Sequence, residues 1–256
     1  MNLGFIGTGE ITKAIVIGIL NSKIKCKKIY LSKRNKKISS FLKRKSKKIT
    51  VFGENQKIID KSNWVFLAIT PNVGKKIIKD FKFRKSQKVI SFISTIKMNE
   101  LKKYIGKNTE ITRAIPLPPI SLGLGPVPIF PKNQSVKKFF DKIGSTIEIN
   151  NENLSLNFWT MSSMMAPYYE FLRTLTAWLI KRGLNKKEAE KYITSLFLAL
   201  SKNASKNIHK DLSVLVNKSQ TPKGLNEQAL NDLKRMNFYN KLKNTSNNIF
   251  KRLKGN

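Results

Sequence analysis

The sequence predicts an α/β domain built on a doubly wound parallel sheet, residues 1–150, followed by an all-helical domain, residues 151–256. Three observations carry this prediction. Short apolar runs alternate with helical patterns along the first part, as parallel strands and their crossover helices do. Two glycines, one residue apart, stand at the first strand-to-helix junction. Past Asn150 the strand-like runs stop, and long apolar and aromatic stretches at helical spacing take over.

The opening "NLGFIG", residues 2–7, reads as a short buried strand. Residues 10–22 read as a helix with Ile11, Ala14, Ile15 and Ile19 on one face. Further strands are expected at 27–34, 49–53, 64–70 and 88–94, and one more at 110–116. The run "WVFLAIT" (64–70) is continuously apolar, which suits a strand buried on both faces, and Pro71 ends it. Helical patterns separate the strands at 35–46, 72–80, 98–105 and 134–143, and "IEINNENL" closes the domain. Beyond it, residues 154–182 form one apolar stretch with Pro167 as the only breaker. Asn185 is placed to cap a helix over 186–208, and another helical pattern covers 222–243.

This half holds many large side chains, among them Trp159, Met165, Tyr169, Phe171 and Trp178. They either fill one monomer's core or bury against a second chain. The second reading is favoured, and it makes the protein a homodimer or a higher homo-oligomer.

The formal charge is +35, supplied mostly by lysine spread from Lys13 to Lys254. A nucleic-acid binder more often gathers arginine and exposed aromatics on one face, so no specific nucleic-acid partner is expected. No apolar run reaches the ~18 residues that span a bilayer, and Glu10 and Lys13 interrupt the first apolar stretch before it can serve as an export signal. A cytoplasmic protein without membrane contact is expected. Cys26 is the single cysteine and His209 the single histidine, which excludes an internal disulfide and a cysteine metal cluster and makes a histidine metal site hard to build, so no metal is expected.

Gly7 and Gly9 either cradle a cofactor or simply make a tight turn. In the first case Gly7 allows the turn and Gly9 lets a pyrophosphate approach the backbone. The helix that follows offers free N–H groups and its positive end, with Thr8, Glu10 and Ile11 at the same junction. Thr12 stands where such a Rossmann fingerprint wants its third small residue. The end of the second strand favours the cofactor reading. A site that prefers NAD carries Asp or Glu there, roughly 20 residues past the glycines. Here Ser32, Lys33 and Arg34 offer a hydroxyl and two cations, which suit the 2′-phosphate of NADP. In a chain so rich in lysine, Arg34 is the more informative of the two cations.

With "GFIGTGEIT", "LSKRN", "VFLAITP", "VISFIS", "TRAIPLPP" and "SQTPKGLNEQAL" in this order, nearly the whole chain resembles the pyrroline-5-carboxylate reductase family. The resemblance implies a Rossmann domain, a helical dimerisation domain, and reduction of the cyclic imino acid pyrroline-5-carboxylate to proline with NAD(P)H. It implies that Ala68, Ile69, Thr70 and Pro71 line the cofactor and that Ser94 lies near the nicotinamide. Thr221, Gly224, Leu225 and Asn226 would form the helix–helix loop that holds the substrate carboxylate.

The chain also departs from the family. Leu117-Pro118-Pro119 stands for "NTP", and Met164, Met165 and Ala166 replace small residues. Leu225 and Asn226 replace a small residue or Thr followed by Thr. These changes leave open another imine or keto-acid substrate, or a binding protein on a reductase scaffold. Thr221 before Pro222 also reads as a helix N-cap followed by N1, with Gly224 supplying a conformation that other residues resist. His209 lies near where the family places an acidic residue by the imine nitrogen, or it is an exposed helix residue beside the acidic alternative Asp211.

Overall fold

The computed structural model describes residues 1–255 and separates into two compact units, Met1–Trp159 and Thr160–Asn256. The first unit is built on one eight-stranded sheet. Its strands are β1 (Asn2–Ile6), β2 (Lys28–Ser32), β3 (Ile49–Phe52), β4 (Trp64–Leu67), β5 (Lys88–Ser91), β6 (Glu110–Ala114), β7 (Pro126–Phe130) and β8 (Ser145–Glu148). They lie in the order β3-β2-β1-β4-β5-β6-β7-β8. Every neighbouring pair is parallel except β6 and β7. The order in which strands are added therefore reverses between β1 and β4, where open α/β sheets bind ligands.

Side chains alternate across the pleat and feed two cores, one on each face of the sheet. Leu3 and Phe5 of β1 face the same core as Ile29, Leu31 and Phe66, with the Phe5 and Phe66 rings stacked 4.5 Å apart. Ile6 faces the other core with Val65, Leu67 and Val89. Helices α1 (Glu10–Asn21), α2 (Lys36–Lys45) and α6 (Gln134–Phe140) cover the first face. Helices α3 (Asn55–Lys61) and α5 (Met98–Ile105) supply Ile58, Ile59, Met98 and Leu101 to the second, and α4 (Pro71–Ile77) lies against it through Gly74, close to Ile93 and Ile96. Full burial of each large side chain contributes about 1.5–3 kcal/mol.

The sheet departs from the sequence reading at its far edge. The purely parallel sheet becomes mixed there, and β7 and β8 join it although the sequence pattern marks neither. Pro126 and Pro128 obscure β7, but its antiparallel pairing with β6 covers only Arg113 with Phe130 and Ala114 with Ile129. Helix α3 also escapes the sequence pattern, because its polar run "NQKIIDK" buries only Ile58 and Ile59. Strand β4 stops at Leu67, three residues short of the expected end.

Helix α7 (Ser155–Ser162) leads into the second unit, which holds α8 (Met165–Lys181), α9 (Lys186–Lys206), α10 (Leu212–Lys218), α11 (Leu225–Arg235) and α12 (Phe238–Lys254). The expected continuous stretch 154–182 breaks at Ser163–Met164, not at Pro167. Pro167 sits in the first turn of α8, where its missing N–H has no intrahelical partner to lose. The pattern over 222–243 is likewise two helices, separated where Asn237 takes a left-handed φ of 57°. Asn185 caps α9 as expected, accepting from the Glu188 N–H. No helix among the described residues is long and apolar enough to cross a membrane.

Candidate functional site

The turn from β1 into α1 lies beside the end of β4. Gly7 has a φ of +96°, which L side chains rarely adopt, and a Cβ on it would fall 2.2 Å from the Ala68 carbonyl oxygen. Gly9 is the N-cap of α1; no side chain caps that helix, and a Cβ on Gly9 would meet nothing within 4 Å. The first glycine is thus demanded by the fold, while the second leaves open space before a free helix N-terminus.

That space is a cavity of about 680 Å³ lined by Gly7, Thr8, Gly9, Arg34, Asn35, Lys36, Ala68, Ile69 and Thr70. Seven of the residues expected at the cofactor come together here: Gly7, Thr8, Gly9, Arg34, Ala68, Ile69 and Thr70. No carboxylate lines the cavity, while Arg34 and Lys36 face it. A dinucleotide fits this donor set: amides and a helix N-terminus for the pyrophosphate, and cations at the end of β2 for a further phosphate.

The other expected cofactor residues lie elsewhere. Ser32 is buried and its hydroxyl is engaged, accepting from the Gly7 N–H at 3.0 Å and lying 3.0 Å from Thr8 Oγ1. It holds the glycine turn and does not face the cavity. Lys33 is exposed outside the lining, with its N–H bonded to the Phe52 carbonyl. Glu10 points to a smaller neighbouring cavity and pairs with Lys13 at 3.2 Å. Ile11 is half-buried against the α1 core, and Pro71 begins α4. Sequence reasoning stopped at Arg34 and missed Asn35 and Lys36. The available signal was the cap: Asn35 accepts from the Ile38 N–H, so α2 must begin at Lys36.

Ser94 follows β5, outside the cavity lining. Its carbonyl accepts from Arg113 Nη2 at 2.6 Å. Arg113 is buried and pairs at 2.5 Å with Glu152, which also accepts the Met98 N–H at 2.7 Å. This network braces the β5–α5 turn.

In the second unit, Thr221–Gly224 form a tight turn closed by the Gly224 N–H on the Thr221 carbonyl at 2.8 Å. The expected cap at Thr221 with Pro222 at N1 does not form. Pro222 and Lys223 are the central residues of the turn, and the left-handed position is Lys223, φ 61°. Gly224 has an ordinary φ of −82° and is itself the N-cap of α11. Glycine is required there for closeness, since a Cβ would lie 2.2 Å from Thr221 Oγ1. Asn226 donates to the Ser219 carbonyl at 2.8 Å, Glu227 accepts the Lys223 N–H at 2.7 Å, and Leu225 is 84% exposed.

His209 is exposed in the turn before α10. Asp211 caps α10, and its hydrogen bonds from Ser213 hold the carboxyl below the usual aspartate value. Met164 is the N-cap of α8, with Met165 and Ala166 in the first turn. Among the described residues, no group of three or more His, Cys, Asp or Glu side chains is placed to hold a metal ion.

The family model described as NADP oxidoreductase, coenzyme F420-dependent, matches residues 2–96, and that for pyrroline-5-carboxylate reductase dimerisation matches residues 154–255. A pyrroline-5-carboxylate reductase of Staphylococcus haemolyticus is 27% identical over 243 residues, covering 90% of this chain and 88% of its own. The solved 1-pyrroline-5-carboxylate reductase of Streptococcus pyogenes shares the fold with a TM-score of 0.85 at 21% identity, covering 100% of this chain and 99% of that one. The Plasmodium falciparum pyrroline carboxylate reductase, solved with NADP bound, shares it with a TM-score of 0.82 at 20% identity, covering 100% and 97%.

Proposed function

The chain belongs to the pyrroline-5-carboxylate reductase family, and from that premise we propose that it reduces the C=N bond of pyrroline-5-carboxylate, giving proline, as a cytoplasmic homodimer. It is an oxidoreductase of this type and uses NADP(H). The observation that carries the reading is the cavity at the β1–β4 reversal, with its glycine turn, its helix N-terminus, two cations and no carboxylate.

When bound, NADPH would supply a hydride to the carbon of the protonated imine, whose nitrogen keeps its proton and takes up the C=N electron pair to become the ring amine. The residues of this chain bind and orient. The amides of Gly7–Gly9 and the start of α1 take the pyrophosphate. Arg34 and Lys36 take the 2′-phosphate, which favours NADPH over NADH. Ala68, Ile69 and Thr70 wall the cofactor, and Ser94, on the turn braced by Arg113, borders the nicotinamide. The Thr221–Asn226 loop holds the substrate carboxylate at the start of α11, whose positive end favours an anion. The helical region 154–255 forms the dimer.

A second substrate, another cyclic imine or a keto acid with an amine, is favoured by one observation. The Asn226 amide already serves Ser219, and Leu225 places an apolar side chain beside it. The test is NADPH oxidation with pyrroline-5-carboxylate, followed by a panel of imines and keto acids. Turnover of pyrroline-5-carboxylate within the panel's best rate is the expected result. Cofactor binding with turnover of another imine alone moves the assignment to that substrate, and binding without any turnover overturns the enzymatic reading. In the same assay Asn226→Ala is expected to raise KM or lower kcat about tenfold, about 1.4 kcal/mol, with NADPH affinity unchanged.

A further inference from the structure

Three buried hydroxyls surround the glycine turn, and their protons can be assigned. Thr8 Oγ1 lies 2.6 Å from the Ser32 carbonyl oxygen, which can only accept, so Thr8 donates there. Thr8 Oγ1 is also 3.0 Å from Ser32 Oγ. With the Thr8 proton committed to the carbonyl, Ser32 is the donor in that contact and Thr8 Oγ1 the acceptor. Ser32 Oγ in turn accepts the Gly7 N–H at 3.0 Å. The two hydroxyls and the Ser32 carbonyl form a directed chain with every proton placed. On the other side of the turn, Thr12 Oγ1 donates to the Gly7 carbonyl at 2.7 Å. Thr8, Ser32 and Thr12 are 3%, 4% and 0% exposed.

Both polar groups of the Gly7 peptide frame are thereby held by side-chain hydroxyls, one from the end of β2 and one from the first turn of α1. Gly7 itself sits at a φ of +96°, a conformation that glycine permits but does not prefer. A glycine turn with free N–H and C=O groups would sample many states, and a ligand would have to order it. Here hydroxyls of the chain itself supply that ordering. Two further facts follow from the same atoms. Ser32 has no proton left for a phosphate oxygen, so it cannot serve as a donor to a 2′-phosphate. Thr12, bulkier than the residue expected at the third position, is accommodated because its hydroxyl replaces a packing role with a hydrogen bond.

We propose that Thr8, Ser32 and Thr12 are positioning residues that pre-form the phosphate-binding turn, and that they raise affinity for nicotinamide dinucleotides without reading the 2′-phosphate. The proposal rests on the dinucleotide reading of the cavity. Discrimination between NADPH and NADH then belongs to the start of α2, where Arg34, Asn35 and Lys36 line the cavity.

The experiment is calorimetric titration of the full chain with NADPH and with NADH, for wild type, Ser32→Ala, Thr8→Val, Thr8→Ser and Arg34→Ala, with thermal melts to establish that each variant folds. Loss of a buried hydrogen bond of this kind is expected to weaken binding about five- to tenfold. Ser32→Ala and Thr8→Val should weaken both cofactors by the same factor, leaving their ratio unchanged. Thr8→Ser, which keeps the hydroxyl, should restore wild-type binding, whereas Arg34→Ala should change the ratio. Should Ser32→Ala fail to fold, the Thr8→Val and Thr8→Ser pair decides, because the first of these is isosteric and the second conservative. Loss confined to NADPH in Ser32→Ala or Thr8→Val overturns the proposal, since the hydroxyls would then read the 2′-phosphate. Unchanged binding of both cofactors in folded variants overturns it as well. A wild-type protein that binds neither cofactor overturns the dinucleotide reading itself, a result distinct from either.

Discussion

The two units bury their apolar side chains to very different degrees. In the sheet unit, both faces of β1, β4 and β5 are covered, and Phe5, Phe66, Ile15, Leu31 and Val89 are completely withdrawn from water. In the helical unit the buried apolar side chains among the described residues are Ala189 and Ile193. Phe171 and Phe197 meet edge to face at 5.2 Å, but Trp178 is 56% exposed and Leu198 65%. The sequence is apolar in both regions, so composition does not separate them. A sheet with helices on each face closes on itself, whereas a thin layer of helices presents more apolar surface than it can cover. The homodimer proposed above would cover that surface, in keeping with the match of residues 154–255 to a dimerisation family.

The largest expected effect tests that contrast directly. Leu198→Asp on α9 and Leu122→Asp in the turn after Pro118 both replace an exposed leucine, 65% and 75% accessible in one chain. If a second copy covers the helical unit, Leu198→Asp places an unpaired charge in an interface. It should then convert a dimer into a monomer at micromolar concentration and lower Tm by about 10 °C or more. Leu122→Asp should move Tm by no more than about 2 °C. Analytical ultracentrifugation with thermal melts reads both. A wild type that sediments as a folded monomer, or two leucines of equal effect, breaks the comparison.

A smaller effect is confined to the sheet unit's cavity. Arg34→Ala removes a charge-assisted contact of about 1.5–3 kcal/mol, so NADPH binding should weaken tenfold or more while NADH changes less than about twofold. Equal losses would show that Arg34 only supports the start of α2. Neither result should depend on protein concentration, unlike the effect on α9.

The smallest effect lies on the edge of the same unit. Glu110 at the start of β6 accepts from Lys88 on β5 and from Asn133, which also caps α6. Partial burial pushes the Glu110 carboxyl upward, but the hydrogen bonds from Lys88 and Asn133 and the Lys88 charge outweigh it, and the net value lies below the ordinary one. A carboxylate with a depressed folded value stabilises the protein above its unfolded value and loses that contribution as pH falls through the folded one. Because the side chain is 45% exposed, Glu110→Gln should cost no more than about 0.5 kcal/mol at neutral pH. Urea unfolding should show this difference shrink as pH falls below the ordinary glutamate value and vanish once the folded-state carboxyl is protonated. A difference that persists in acid would assign the effect to packing.

Local pattern alone determined much of this protein. The strands β1 to β6 are legible because a strand buried on both faces must be continuously apolar, a property of consecutive residues. Gly7 and Asn185 are legible for a similar reason. A turn at a φ of +96° against the Ala68 carbonyl calls for glycine, and a helix start favours a side chain that can accept its first N–H groups, each a preference expressed within a few residues. Arg34 stood out because one arginine is informative among so many lysines.

Tertiary structure decided the rest, because the deciding neighbours are distant in sequence. The prolines of β7 are tolerated only because β6 pairs with so little of it. The cavity's cation Lys36 became visible once the Asn35 cap fixed where α2 begins. The role of Gly224 was set by where the Thr221 side chain lies, while the left-handed position fell to its neighbour Lys223. Ser32 shows the division most clearly. As a residue type at the end of β2 it reads as a ligand for an anion. Only the fold brings it to the Gly7 amide, 25 residues away in sequence, and to Thr8. A hydroxyl can donate one proton, and the sequence does not say to whom.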